Sequence, residues 1–369
     1  MSDLRTTPLF ALHQELGARM VPFAGWSMPV QYPAGIIAEH RQCREKAALF
    51  DVSHMGQLEI AGEGAAGRME TLVPADIQAL AAGRARYTML TAADGGILDD
   101  LIVTRTPDGL FVVVNAGCRD EDTAIIRKAM EPDFGVRELG GRALLALQGP
   151  MAADILERLC PGANGLAFMQ SAELDVAGHA CRVSRLGYTG EDGYEISVAA
   201  EAAEPLARIL LDMDEVGPAG LGARDSLRLE AGLCLYGHDI DISTTPIEAG
   251  LRWTIGKRRI ADRDFPGHER IIAEIHNGPD RRLVGLRPEG RAPVREGTEI
   301  QDGDGRIVGR VTSGAFSPTL GAPVAMAHVE SANAATGTRL QAILRGKPVA
   351  AEVVKLPFVP HNYHRQEKA

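Results

Sequence analysis

Two adjacent carboxylates, Asp99 and Asp100, sit inside Gly95-Gly96-Ile97-Leu98-Asp99-Asp100-Leu101-Ile102-Val103, a run that otherwise reads as a buried strand. Asp is depleted in strands, and a buried ionised carboxylate is costly unless it is paired or hydrogen-bonded. Strand side chains alternate between faces. Leu98, Asp100 and Ile102 therefore share one face, and Ile97, Asp99, Leu101 and Val103 share the other. Both faces are apolar, so at least one Asp is expected in a protected site, where a carboxylate can meet a substrate amine. The bland reading is a carboxylate that caps a hairpin or pairs with an arginine. From the residues alone the two readings weigh about equally.

Other side chains offer weaker signals. Glu195 shares a strand face with Ser197, opposite Tyr194, Ile196 and Val198, and a solvated face is the bland account. Arg224 and Arg228 lie one helical turn apart; either could clamp a carboxylate or a ring, or simply form an ion pair. Asp51-Val52-Ser53-His54 has the ingredients of nucleophilic catalysis, but adjacent strand residues point apart, so a loop-shaping role is expected. His361 and His364 have no third ligand nearby, which argues against catalytic zinc. Gly62-Glu63-Gly64-Ala65-Ala66-Gly67 matches G-x-G-x-x-G, yet no acid stands ~20 residues on, as a dinucleotide site requires. No metal site is expected.

These groups need elements to position them. A helix is expected at 38–49, a strand at 57–61, and a meander at 86–91, 97–105 and 110–114, with Asp-Gly turn signals. Arg119-Asp120-Glu121-Asp122 places acids where a helix over 119–130 would begin. Further strands are expected at 143–148, 183–185 and 195–198, and helices at 151–160, 205–213 and 223–231. Residues 250–280 read as mixed, with a basic run Lys257-Arg258-Arg259. From Arg281 to Val359 short strands and Gly turns predict a small Greek-key barrel.

The chain has 369 residues, 45% hydrophobic and 24% charged, enough for two or three domains. Its net charge of −10 argues against a nucleic-acid partner. The five scattered cysteines read as reduced thiols rather than a disulfide frame. No apolar run approaches the ~18 residues of a membrane span, and the first residues carry no signal core. A cytoplasmic location is the simplest expectation, with a processed organellar form left open.

Together the motifs resemble one family, the T proteins of the glycine cleavage system, which are tetrahydrofolate-dependent aminomethyltransferases. The resemblance runs through Phe23-Ala24-Gly25-Trp26, Phe50-Asp51-Val52-Ser53-His54-Met55-Gly56, Gly95 to Val103, Val114-Asn115-Ala116 and Leu147-Gln148-Gly149-Pro150. It continues through Gly187-Tyr188-Thr189-Gly190, Gly222-Ala223-Arg224-Asp225, Tyr236-Gly237-His238-Asp239, Thr312-Ser313-Gly314 and Leu356-Pro357-Phe358. It implies an α+β fold: a folate-binding region of two mixed subdomains (1–275), then a Greek-key β-barrel (281–369), the three lobes surrounding a central cavity. It implies the reaction too. A one-carbon unit passes from the aminomethyl-lipoyl arm of a partner, the H protein, to tetrahydrofolate.

Position by position, the resemblance makes Asp100 the catalytic carboxylate and Glu195 the acid that bonds the pterin ring. Arg224 becomes a substrate contact, and Tyr87, Val113, Tyr188, Trp253 and Tyr363 line the folate. Phe111 stands where some relatives carry Tyr. Arg258 and its neighbours, or Arg281-Arg282, are candidate contacts for an acidic H protein, against the alternative of a solvated charge run. Two further readings stay open: a folate-dependent demethylase or oxidase on the same scaffold, and a non-enzymatic assembly factor. The latter carries a Lys-Gly-Cys-Tyr type motif, whereas here Gly117-Cys118 is followed by Arg119.

Overall fold

The computed structural model describes residues 4–365. Met1–Asp3 and residues 366–369, the end of the expected second domain, lie outside the described part. Two large sheets, a two-stranded hairpin (Arg19–Phe23 with Trp26–Gln31) and a barrel build a mixed α/β body. The first sheet has five antiparallel strands in the order Ala85–Thr91, Ile97–Thr106, Gly109–Val114, Gly56–Ala61 and Gly135–Glu138. It contains the expected meander, because alternating β-branched runs are separated by Asp-Gly turns. The second sheet runs Gln170–Val176, His179–Arg185, Gly193–Ala199, Arg142–Gln148, Ala47–Asp51 and Val216–Pro218.

Six strands, Arg281–Pro288, Ala322–Glu330, Ile307–Ser317, Glu299–Gln301, Arg339–Leu344 and Lys347–Val354, close the C-terminal barrel. The three middle strands in sequence form a meander, and Arg281–Pro288 returns beside its last member, which is Greek-key order.

The two sheets face each other. Ile102, Phe111 and Val113 from the first pack with Phe50, Leu144 and Ala146 from the second. Ala223 and Leu227 of the helix Leu221–Glu230 close the same cluster. Ser197 of the second sheet also donates to Gln57 of the first. The barrel joins through another cluster, where Val324 and Met326 meet Met89, Ile97 and Tyr87. All three lobes thus meet on the face of the first sheet that carries Asp100.

Several expectations are corrected by tertiary context. The helix expected at 38–49 is Ile36–Glu45. Ala47–Asp51 is instead a fully buried strand, parallel to Val216–Pro218 and antiparallel to Arg142–Gln148. The helix expected to begin at Pro205 begins at Ala200, and Pro205 lies inside it. Strand alternation also fails at one point. Leu90 pairs with Asp99 but Thr91 pairs with Ile97, so Leu98 is bulged out of register. Ile97 therefore packs with Met89 on the Asp100 side, whereas Leu98 packs against Leu101 and Val103.

The basic run is not a free surface. Arg258 bonds Glu70, Asp76 and Asp262, and Arg259 is 1% exposed against Asp264 and the carbonyl of Glu70. Of the three, only Lys257 is exposed. Arg281 is held by Glu248, leaving Arg282 as the exposed member of its pair. Gly62 to Gly67 is a turn into the five-residue helix Ala65–Met69, off an antiparallel sheet rather than a βαβ unit.

Candidate active site

Asp100 is presented by a tight approach just upstream. Gly96 lies so close to Ile242 that a Cβ on it would sit 1.8 Å from the Ile242 carbonyl oxygen. Only glycine lets the strand enter here. Register then fixes the neighbours: Met89 pairs with Asp100, Tyr87 with Ile102, and Ile102 with Val113. Tyr87, Asp100 and Val113 therefore project from one sheet face. Trp253 stacks on Tyr87, with ring centres 5.8 Å apart, and is itself 60% exposed at the rim.

The opposite wall comes from the second sheet. Gln148 clamps the Gly187–Gly190 turn: its amide donates to the Leu186 carbonyl at 3.0 Å and its oxygen accepts from Thr189 Oγ1 at 2.8 Å. Tyr188, held in that turn, donates its hydroxyl to the Cys234 carbonyl. The Arg224 guanidinium lies over the Tyr188 ring, 5.0 Å from its centre. Arg228, one turn on, is consumed by Asp239 at 2.6 Å and Ser313 at 2.9 Å. Arg224 has no such partner, and its Nη1 is buried without an acceptor among the described residues. Glu195 is only 8% exposed, so its strand face is not the solvated one, and no protein donor bonds its carboxylate among the described residues.

Burial pushes the Glu195 carboxyl up, partly countered by Arg224, and pushes Arg224 down, partly countered by Glu195. Such unpaired groups are costly to bury; a ligand with its own donors and acceptors would satisfy both.

The carboxylate pair has company that the sequence reading did not name as site residues. Asn115 follows the strand Gly109–Val114, and its amide nitrogen donates to Asp99 Oδ1 and to Asp100 Oδ1, both at 2.9 Å. Burial, and next the Asp99 charge, push the Asp100 carboxyl up to about 7; the nearby Tyr87 hydroxyl and Asn115 oppose this. A carboxyl poised near neutrality can both hold and release a proton. The only sequence signal for Asn115 was its place in the Val114-Asn115-Ala116 motif.

His54 is also buried, and desolvation holds its imidazole down to about 4, with Asp51 and Arg224 nearby. Asp51 bonds His13 at 2.8 Å and the Ser53 backbone N–H at 2.9 Å, so the Asp51–His54 segment is a shaped loop.

Tyr363 belongs to a separate aromatic group. It stacks on Phe168 at 4.1 Å and meets His361 at 4.7 Å. His361 Nε2 donates to the Ala231 carbonyl, 2.8 Å away. Among the described residues no group of three or more His, Cys, Asp or Glu side chains could hold a metal ion. A cavity of about 350 Å³ lies elsewhere, between Thr7, Trp26, Ser53, Arg119 and Arg142, and none of Asp100, Glu195 or Arg224 lines it.

Residues 9–259 match the family model described as the GCVT N-terminal domain, and residues 281–360 match the glycine cleavage T-protein C-terminal barrel domain. The chain belongs to the glycine cleavage T-protein family. It is 49% identical to a mitochondrial aminomethyltransferase of Gallus gallus, over 98% of this chain and 94% of that protein. It is 46% identical to the mitochondrial aminomethyltransferase of Solanum tuberosum, over 99% and 92%. The crystal structure of glycine cleavage system aminomethyltransferase T from Bartonella henselae superposes with a TM-score of 0.94 at 43% identity, covering 98% of this chain and all of that one.

Proposed function

We infer that this chain is the aminomethyltransferase of a glycine cleavage system. It moves a one-carbon unit from the aminomethyl-lipoyl arm of H protein to tetrahydrofolate. The products are 5,10-methylene-tetrahydrofolate, ammonia and the dihydrolipoyl arm. The observation that carries this reading is one walled site that sets buried groups lacking protein partners among the described residues, Arg224 Nη1 and the Glu195 carboxylate, on one wall, and the proton-poised Asp100 on the other. A flat heterocycle bearing N–H donors and a carbonyl fits that set. Glu195 accepts from ring N–H groups, Arg224 donates, and Tyr87, Trp253 and Tyr188 offer aromatic faces.

The step balances without an external oxidant. The lipoyl carbon–sulfur bond breaks, sulfur leaves with the electron pair, and the aminomethyl carbon gains iminium character. A folate nitrogen attacks that carbon. Ammonia then departs as the second folate nitrogen closes the methylene bridge. Asp100 stabilises the positive charge and takes the first folate N–H proton, which passes to the departed thiolate, while the second folate N–H proton leaves on ammonia. Holding both substrates in place contributes as well.

Part of the same reading is a division into a transferase region over 1–275 and a barrel domain over 281–369. No helix among the described residues is long and apolar enough to cross a membrane, and all five cysteines are free thiols. We place the protein in a reducing compartment. The cytoplasm is the sequence-based choice, while the relatives named above are mitochondrial.

Two measurements test the proposal. Ammonia release requires tetrahydrofolate and aminomethyl-loaded H protein together; release of none from the complete mixture would leave only a folate-binding module. Glu195→Gln keeps the fold and weakens tetrahydrofolate binding about 10-fold or more, since one acceptor for the ring N–H groups is lost. Unchanged affinity by calorimetry would remove Glu195 from the site.

A further inference from the structure

Asp122 lies in the first turn of the helix Arg119–Met130 and is 1% exposed. Asp99 is 0% exposed. Asp99 Oδ2 and Asp122 Oδ2 are each buried without a donor among the described residues. The two carboxyl groups nevertheless lie within hydrogen-bonding reach of each other. Ionised carboxylates only accept, whereas a protonated one donates a single O–H. One proton between the facing oxygens satisfies both atoms; two bare charges there would repel across a desolvated gap. We propose that Asp99 and Asp122 share one proton and together act as a positioning pair that sets the charge beside Asp100. This rests on the reading of Asp100 given above.

The surroundings say which partner keeps the proton. Asp99 Oδ1 already receives the Asn115 amide at 2.9 Å, which favours the anion on Asp99. Burial pushes the Asp122 carboxyl up to about 10, and the hydrogen bond and charge of Asp99 add to this, so Asp122 is the acid. The groups facing the pair are Asn115, Cys118, Glu121, Tyr236 and Asp100; those facing Asp100 on the other side are Tyr87, Tyr188 and Cys234. None of these is a cation. The net single negative charge of the pair sits instead near the positive end of a helix.

The consequence reaches the chemistry through Asn115. Its two amide hydrogens bridge Asp99 and Asp100, so the Asp99 anion both orients the amide and repels charge on Asp100. A fixed anion there keeps the Asp100 proton equilibrium near neutral pH. Nearby Cys118, pushed up to about 12 by burial and by the same carboxyl groups, stays a thiol.

The test uses the full-length enzyme with four single variants, read by thermal melts and by the pH profile of kcat/KM. An amide can replace a protonated carboxyl as donor, so Asp122→Asn retains the wild-type melting temperature and acid limb. Asp122→Ala removes the donor and melts several degrees lower. Asp99→Asn moves the negative charge away from Asp100 and shifts the acid limb down by about one pH unit. If Asp122→Asn melts as low as Asp122→Ala, no proton is donated from that position and the proposal falls. An acid limb unmoved in Asp99→Asn also overturns it. Failure of the Asp100 reading is separate: Asp100→Asn would then keep its turnover while the melting pattern of the Asp122 variants stood.

Discussion

Asp100→Asn lowers turnover by about 10²–10⁴-fold, the range expected when a positioned proton acceptor is lost, and leaves tetrahydrofolate affinity within a few-fold of wild type. The same substitution stabilises the protein at alkaline pH. Burial, with the Asp99 charge, raises the Asp100 carboxyl from 3.8 to about 7 in the folded state. A carboxyl raised on folding favours the folded state below its unfolded value, and that advantage is lost as pH rises through the folded value. Ionising Asp100 at pH 8 therefore costs up to about 4 kcal/mol, which a neutral amide avoids. Asn115 can still donate to the new side-chain oxygen. Melting temperatures of variant and wild type should thus converge toward pH 4 and separate above pH 7, with the variant higher. Steady-state turnover with purified H protein checks the first half, and near-normal turnover would remove Asp100 from its role.

Glu230→Ala destabilises the protein by about 3–5 kcal/mol, the cost of breaking a buried ion pair on one side, and lowers the melting temperature by about 5 °C at this chain length. Glu230 ends the helix that carries Arg224, and its side chain is fully buried. It accepts from Arg44 at 2.9 Å, His40 at 3.1 Å, and Thr319 Oγ1 at 2.7 Å. Its other oxygen accepts from Ser317 and from the Thr319 backbone N–H. Ser317 and Thr319 belong to the barrel lobe, so one carboxylate ties the barrel to the helices beneath the site.

Burial alone would raise Glu230. The His40 hydrogen bond and charge, with Ser317 and Thr319, overcome this and hold it down to about 2. A carboxyl lowered on folding stabilises above its unfolded value of 4.5 and loses that contribution as pH falls toward 2. The wild type therefore shows an acid destabilisation over that window which Glu230→Ala lacks. Denaturant titrations at pH 7 and pH 3 distinguish the two, and equal stability of variant and wild type at pH 7 would contradict the tie between Glu230 and the barrel.

Local chemistry made much of the frame legible. Acids at 120–122 announced the helix Arg119–Met130, and Asp-Gly turns announced the first-sheet meander. Short strands with Gly turns announced the barrel. What failed was decided by partners distant in sequence. Ala47–Asp51 is a strand because strands about 100 and 170 residues further on pair with it. The Leu98 bulge depends on register with Thr91. Arg258 and Arg259 read as a surface run, but they turn inward because Glu70, Asp76 and Asp264 wait there.

The amino-acid sequence by itself determined the family, the fold class and the anomaly of two carboxylates in an apolar strand, because residue types and their order carry those signals. It also separated Asp99 from Asp100, since alternation sends them to opposite faces. Only the tertiary structure decided their company. Pairing of Leu101 with Val114 brings Asn115 against both carboxylates, and packing of the helix Arg119–Met130 brings Asp122 to Asp99. It likewise left Arg224 Nη1 without an acceptor among the described residues while giving Arg228 to Asp239. Those outcomes depend on three-dimensional proximity and desolvation, and neither is written in the spacing of residues along the chain.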